Sequence, residues 1–313
     1  MKQLLTLVVL FGVLVLGYIF LRQVSEPSAF EAPAELSLQN FVRDDFTRIV
    51  FKFPSAGDVF LKKDGGVWTV NGFAAEATKV EQLLVALDKA EVSSLVSTNP
   101  DNHKRFQVDE STGVTMEVSF VDADTEVYVL GKSAGGQSTY VRKPEQPDVF
   151  VMDGLARFSI TEAEDSWRDR KIVSASSEMI RKVVFEGAQS WEVVFEEEKW
   201  LLKRQFVADV ELDTSKVDNW LKSLAAISAS GFKVLEEGDR DKKPVQTITL
   251  ELGDAEAFSG KEVLTVFEAV DDEQSYLILK EDDESGYLIY KTTLDGVYEP
   301  LVDLLERLQP EVE

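Results

Sequence analysis

The chain has 313 residues, with 33 Lys and Arg against 57 Asp and Glu, a single His, no Cys and 44% hydrophobic residues. That length and apolar share suit one large or two medium domains with their own cores, and exclude a disordered or low-complexity chain. A formal charge of -24 repels phosphate and excludes nucleic-acid binding driven by counterion release, while the lack of Cys removes disulfides, thiolate nucleophiles, zinc-thiolate sites and a lipid-modified N-terminal Cys.

The first element is an apolar run, Leu4 to Leu21, without a charge. As a helix at about 1.5 Å per residue it reaches roughly 27 Å, close to the roughly 30 Å of a bilayer core. A cleaved signal peptide has a shorter apolar region with small residues just after it. Here Arg22, Gln23 and Val24 follow, and the nearest Ala-x-Ala (Ala32, Pro33, Ala34) lies far downstream. Residues 1–22 are therefore expected to be an uncleaved, single-pass transmembrane anchor. Lys2 and the terminal amine on one side, against Arg22 on the other, place the N-terminus in the cytoplasm and the bulk outside it. Residues 23–44, with Pro27, Pro33 and several Glu and Ala, read as a tether. Beyond Arg22 the chain holds all 57 acids and 31 basic residues (33 less Lys2 and Arg22), a balance of -26.

An internal repeat organises the rest into two α+β units, residues 45–160 and 178–313, joined by a linker at 161–177. Thr78 to Leu87 (TKVEQLLVAL) parallels Ser215 to Leu224 (SKVDNWLKSL). Each opens on a hydroxyl residue followed three positions later by an acid, a capping-box pattern. Val80, Leu83, Leu84 and Leu87, like Val217, Trp220, Leu221 and Leu224, fall on one helical face. Upstream, RIVF (Arg48 to Phe51) and FLKKDGGVWTV (Phe60 to Val70) match KVVF (Lys182 to Phe185) and VVFEEEKWLLK (Val193 to Lys203), which makes Trp68 and Trp200 equivalent. These blocks alternate around turns such as Asp64, Gly65, Gly66 and predict hairpins. Downstream, four strand-like segments between Gly113 and Met152 are matched by four between Gln246 and Tyr290. Helical patterns then close each half, at Asp153 to Phe158 and at Val297 to Leu308. The helices are 137 residues apart and the Trp residues 132, so the second copy carries about five extra residues between Trp200 and Ser215. The predicted architecture is an antiparallel sheet with a packed helix, made twice.

With these elements in place the chain resembles a known bacterial family. Trp68, Thr69, Val70, Asn71, Gly72 and the Val-x-x-Leu-Leu-x-x-Leu helix form one part. An aliphatic strand ending in Gly131, a Tyr-Val-Arg strand (Tyr140 to Arg142), a Val-Phe-Val strand (Val149 to Val151) and the Trp-Arg-Asp-Arg-Lys junction (Trp167 to Lys171) form the other. Together they look like the domain-of-unknown-function family numbered 4340, over roughly residues 46 to 300. The resemblance implies an anchored, periplasmic envelope protein associated with transport systems of the ATP-binding-cassette type linked to gliding-motility components. It carries no catalytic motif. Gly72 and Gly131 have no clear counterpart in the second copy.

Motifs that mimic catalytic chemistry each have a plainer reading. Gly131, Lys132, Ser133 would need Gly at 126 to end a phosphate-binding loop, and Glu126 stands there, so a strand-ending turn is expected. His103 has no second His to share a metal and reads as a surface-loop residue. Ser230 and Lys233 have Ser-x-x-Lys spacing without its companion motifs. The acidic groups Asp122, Asp124, Glu126 and Glu281, Asp282, Asp283, Glu284 lack the twelfth-position Glu of a Ca²⁺ loop, the second having Thr292 there. Trp191, Trp200 and Trp220 fall at core positions. No catalytic, cofactor-binding or metal site residue and no cofactor is therefore expected. The expected function is a non-enzymatic, protein-binding component of a membrane complex, without nucleic acid. The alternatives are a carboxylate-based hydrolase or binder of envelope polysaccharide, whose two acids cannot be singled out among 57, and a scaffold that self-associates through an apolar patch or a free sheet edge.

Overall fold

The computed structural model describes residues 43–298, apart from 189, 206, 254–257, 270–271 and 282. The expected anchor (1–22), most of the tether, Asp282 and the end of the closing helical pattern (299–308) lie outside the described residues. Among the described residues no helix is long and apolar enough to cross a membrane.

Period-two burial sets the architecture. In the strand Val114–Phe120, residues Val114, Met116, Val118 and Phe120 are buried and those between are half-buried, as a pleated strand with one core face requires. The first unit runs β1 (Phe46–Lys52), β2 (Val59–Asp64), β3 (Val67–Val70), β4 (Phe73–Ala74), helix α1 (Ala77–Asp88), β5 (Glu91–Ser97), β6 (Val114–Phe120), β7 (Glu126–Gly135), β8 (Ser138–Arg142) and β9 (Val149–Asp153). All pairings are antiparallel, in the order β4-β3-β2-β1-β6-β7-β8-β9-β5.

The second unit repeats this plan strand for strand. It runs β10 (Ile180–Glu186), β11 (Trp191–Glu196), β12 (Lys199–Arg204), β13 (Val207–Leu212), helix α2 (Thr214–Ala225), β14 (Gly231–Lys233), β15 (Gln246–Gly253), β16 (Phe258–Glu268), β17 (Ser275–Lys280) and β18 (Gly286–Tyr290). Its sheet order is β13-β12-β11-β10-β15-β16-β17-β18-β14. Even the irregularities coincide, with a bulge between Phe46 and Arg48 in β1 and between Ile180 and Lys182 in β10. Lys63 faces Trp68 where Phe195 faces Trp200, so the two Trp residues are equivalent in register. Gly65 and Gly66 turn β2 into β3 at φ 55° and 91°, and Glu197 and Glu198 make the matching turn at φ 49° and 63°. The five extra residues lengthen one hairpin: β12 and β13 pair out to Arg204 and Val207, whereas β3 and β4 stop at Val70 and Phe73.

Both helices lay the expected stripe on their sheets, Val80, Leu83, Leu84 and Leu87 in one and Val217, Trp220, Leu221 and Leu224 in the other, all buried. Their caps differ from expectation. The N-caps are Glu76 and Asp213, not Thr78 and Ser215; each carboxylate accepts from the two backbone N–H groups at the helix start, Thr78 and Lys79 in α1, Ser215 and Lys216 in α2. A carboxylate also answers the positive end of the helix dipole, which a hydroxyl does not. The predicted closing helix at Asp153 to Phe158 is the end of β9 and a 3-10 turn, Arg157–Ser159. In the second unit residues 291–298 are helical, so that helix starts six residues before Val297. The expected linker is built into the units. The division falls between Trp167 and Arg168, Trp167 is buried in the first core, and Ile172 and Val173 are buried in the second.

Gly131 does not end a strand; it lies inside β7. A Cβ there would meet the Phe106 carbonyl oxygen at 2.2 Å and Val108 Cγ1 at 2.7 Å, so glycine is what lets the Phe106–Val108 segment lie on the outer face of the sheet. There Phe106, Val108, Val129 and Val149 form a small second cluster. Register places Phe267 at the equivalent point of β16, where it fills a matching cluster with Ala269, Leu277 and Leu279.

Three outcomes follow for folding. Leu84→Ala and Leu221→Ala should each cost about 2 to 5 kcal/mol in denaturant unfolding, since both leucines are buried in their cores; wild-type midpoints for both would overturn the helix placement. Gly131→Ala should destabilise by about 1 to 3 kcal/mol through the forced contact, more than the roughly 0.4 to 1 kcal/mol it gains from the unfolded chain. Gly57→Ala, with nothing within 4 Å of its Cβ, is the control and should shift the midpoint little. The third concerns Asp109, whose carboxyl is held down to about 2 by the hydroxyls of Ser111 and then Thr112. A lowered folded pKa stabilises above the unfolded value of about 3.9 and is lost as pH falls through the folded one. The urea midpoint should therefore drop between about pH 4 and 2, less steeply in Asp109→Asn.

Candidate functional site

The same helical spacing that buries one stripe of α1 leaves Lys79, Gln82, Ala86 and Lys89 along its flank. Opposite them runs the chain from Gly154 to Trp167. Between the two lies an open groove of about 800 Å³, floored in part by Leu83 and Trp167 and walled by Phe158. Phe158 is 77% exposed, an unusual position for an aromatic ring.

The groove is rigidly framed at the start of α1. The Glu76 backbone N–H donates to the Trp167 carbonyl at 2.8 Å, while the Glu76 carboxylate caps the helix. Trp167 stacks on Phe51 with ring centroids 6.1 Å apart and donates its indole N–H to the Thr161 carbonyl at 3.1 Å. Lys79 Nζ sits 4.3 Å from the centre of the Trp167 ring and donates to the Ser166 carbonyl and hydroxyl, each at 2.9 Å. The charged residues lining the groove are Glu76, Lys79 and Lys89, a local balance of +1 in a chain of -24.

In the second unit the corresponding gap is closed. Trp220 replaces Leu83 on the helix, is buried, and donates its indole N–H to the Val297 carbonyl at 3.0 Å. Leu294 and Val297 are buried in the same core, and Phe185 meets Tyr298 edge-on at 5.3 Å where Phe51 stacks on Trp167 in the first unit. A smaller hollow of about 260 Å³ lies elsewhere in this unit, with Glu262, Glu281 and Asp283 on its wall. Each acid there has a donor. Glu262 accepts the Ser174 N–H, Glu281 pairs with Lys261 at 3.5 Å, and Asp283 accepts from the Ser285 N–H and the Tyr287 hydroxyl. Burial pushes the Asp283 carboxyl up, but these hydrogen bonds outweigh it and hold the pKa below the ordinary value. A proton-donating acid needs the opposite shift.

The residues weighed from sequence do not converge. Lys132 and Ser133 lie in β7. His103 is half-buried in a single helical turn, not in a loop, with Nε2 2.9 Å from the Pro147 carbonyl. Ser230 donates to the Leu288 carbonyl while Lys233 pairs with Asp239, so the Ser-x-x-Lys spacing makes no dyad. Glu126 pairs with Lys143. Among the described residues no group of three or more His, Asp or Glu could hold a metal ion. Trp191, Trp200 and Trp220 are all buried in the second core, Trp191 stacked on Phe185 at 3.8 Å and the other two tilted against Phe195 and Phe185. No sequence motif marks the groove; its one signal in the sequence is Leu83 standing where the repeat has Trp220.

Comparison with known proteins adds a family and nothing more. No curated protein and no solved structure matches the chain. A family model described as a domain of unknown function, DUF4340, matches residues 68–248, from β3 of the first sheet into β15 of the second. That is more than half of the 313 residues, and the chain belongs to the DUF4340 family.

Proposed function

We propose that the protein is a non-enzymatic envelope protein, anchored by Leu4 to Leu21 with its two sheet units in the periplasm, that binds another protein as an accessory component of a membrane transport complex of the ATP-binding-cassette type. The observation that carries this reading is the groove beside α1, which combines an exposed Phe158 with polar flanks and contains a single carboxylate, Glu76, already used as a helix cap. Such a mixed, open surface suits a side chain or segment of a partner rather than bond cleavage. The balance of -26 beyond Arg22 would steer a basic partner surface toward the protein. Polysaccharide hydrolysis would need two acids about 5 to 9.5 Å apart with one kept protonated, and the lowered pKa of Asp283 argues against that role in the hollow that holds three.

Affinity capture of the full-length protein from mild detergent tests the proposal. A transport-complex subunit should co-purify at low salt, and its yield should fall as salt rises. Phe158→Ser should reduce capture without changing the melting temperature, since that ring is exposed. Hydrolytic activity abolished by replacing one acidic pair would instead establish the polysaccharide reading.

A further inference from the structure

The second unit records what fits the space that the first leaves open. Leu83 corresponds to Trp220, and there the gap between helix and closing segment is filled by an indole ring, 4% exposed, that donates its N–H to the Val297 carbonyl on the far side. In the first unit the same gap is the open groove, with Leu83 and Trp167 on its floor and Phe158 on its wall. Charge narrows the occupant further. Lys89 lines the groove, is exposed and makes no ion pair among the described residues, whereas Lys79 is committed to the Trp167 ring and to Ser166, and the Glu76 carboxylate to the helix cap. The groove therefore offers a ligand a cation and an apolar slot. Leu83 and Lys89 are six residues apart in sequence, a rise of about 9 Å along α1, which an extended segment spans in two or three residues at about 3.3 to 3.6 Å each.

From this pairing of an aromatic-sized gap with a lysine we infer that the groove receives a tryptophan side chain from an extended segment of a partner protein, with an Asp or Glu two or three residues away seated on Lys89. The inference rests on the reading of the groove as a partner site and names the chemistry that the partner brings. The ring would lie beside Leu83 and against Phe158, in the offset or edge-on contacts that aromatic pairs favour. Tryptophan is also the side chain that interfaces most favour as a buried anchor. At physiological salt, charges more than about 8 Å apart are largely screened. The acidic balance of the whole chain thus acts on the partner's approach, while Lys89 selects what enters the groove. The second unit offers no such site, because Trp220 already occupies the place.

Panning a phage-displayed library of random peptides on the full-length protein in mild detergent tests this. Enriched peptides should share a Trp with Asp or Glu two or three positions away. For the tightest of them, made synthetically with a dye and followed by fluorescence anisotropy, Trp→Ala should weaken binding by about tenfold or more. Lys89→Glu in the protein should weaken it too, and exchanging the peptide's acid for Lys should restore it. Leu83→Trp places the second unit's ring in the first unit's groove and should abolish binding; Phe158→Ser and Lys89→Glu, both at exposed side chains, decide the matter if that variant fails to fold. A library that enriches no peptide, enriched peptides without an aromatic residue, or binding that neither Phe158→Ser nor Lys89→Glu weakens would overturn the inference. Panning involves no transport subunit, so its failure is distinguishable from a failed capture: peptides that bind without a captured subunit leave the groove's chemistry standing, and a captured subunit without such peptides leaves only the partner reading.

Discussion

One twelve-residue helix must cover the inner face of a nine-stranded sheet, and it must do so twice. A helix of that length is marginal alone in water, so it exists only because of what it buries. The four side chains of each stripe contribute about 1.5 to 3 kcal/mol apiece before entropy is subtracted. A carboxylate cap fixes where each helix starts, by Glu76 in one unit and Asp213 in the other. What the helix cannot cover falls to the residues after the last strand, and in both units an aromatic ring from that segment meets the Phe of the central strand, Trp167 on Phe51 and Tyr298 on Phe185.

Where the copies agree, backbone geometry is being preserved by whatever residues permit it. The β2–β3 turn needs two left-handed residues and uses Gly65 and Gly66, while the second copy holds Glu197 and Glu198 in the same strained region. Where the copies differ, one fills space with a side chain that the other fills with backbone or leaves open. Gly131 admits the Phe106–Val108 segment, and Phe267 occupies the same place itself. Leu83 leaves the groove, and Trp220 closes it. The sheet edges are also treated unequally. Of the four edge strands, β4 has two residues, β14 three and β13 six, while β5 has seven but carries two bulges, which blunt it against pairing with another chain. Of these differences, the one between Leu83 and Trp220 opens the first unit's groove.

The parts of the fold set by local period were readable from sequence. Both helical stripes, the hairpins, the two four-stranded meanders and the equivalence of Trp68 with Trp200 follow from spacing alone. The edge strands β5 and β14 were not, since each is defined by pairing with a strand more than fifty residues later. Thr78 and Ser215 fit a capping box, but the helices start one residue before them, at Ala77 and Thr214, and the carboxylates of Glu76 and Asp213 take the first free amides and carry charge. Gly131 looked like a strand end because the segment that demands it comes from Phe106, across the face of the sheet. The groove was invisible for a related reason. It arises from a difference in size between Leu83 and Trp220, and its other wall includes a 3-10 turn, Arg157–Ser159, where the sequence from Asp153 to Phe158 has a helical pattern.

The central claim is that each sheet is held by its own helix. Residue-resolved amide hydrogen exchange on the full chain tests it most directly. The account predicts that amides in the middle of α1 and α2 exchange as slowly as those of the central strands β1, β6, β10 and β15, because helix and sheet open together. Exchange in either helix that is much faster than in its own central strands would contradict it, since that sheet would then keep its face covered without the helix.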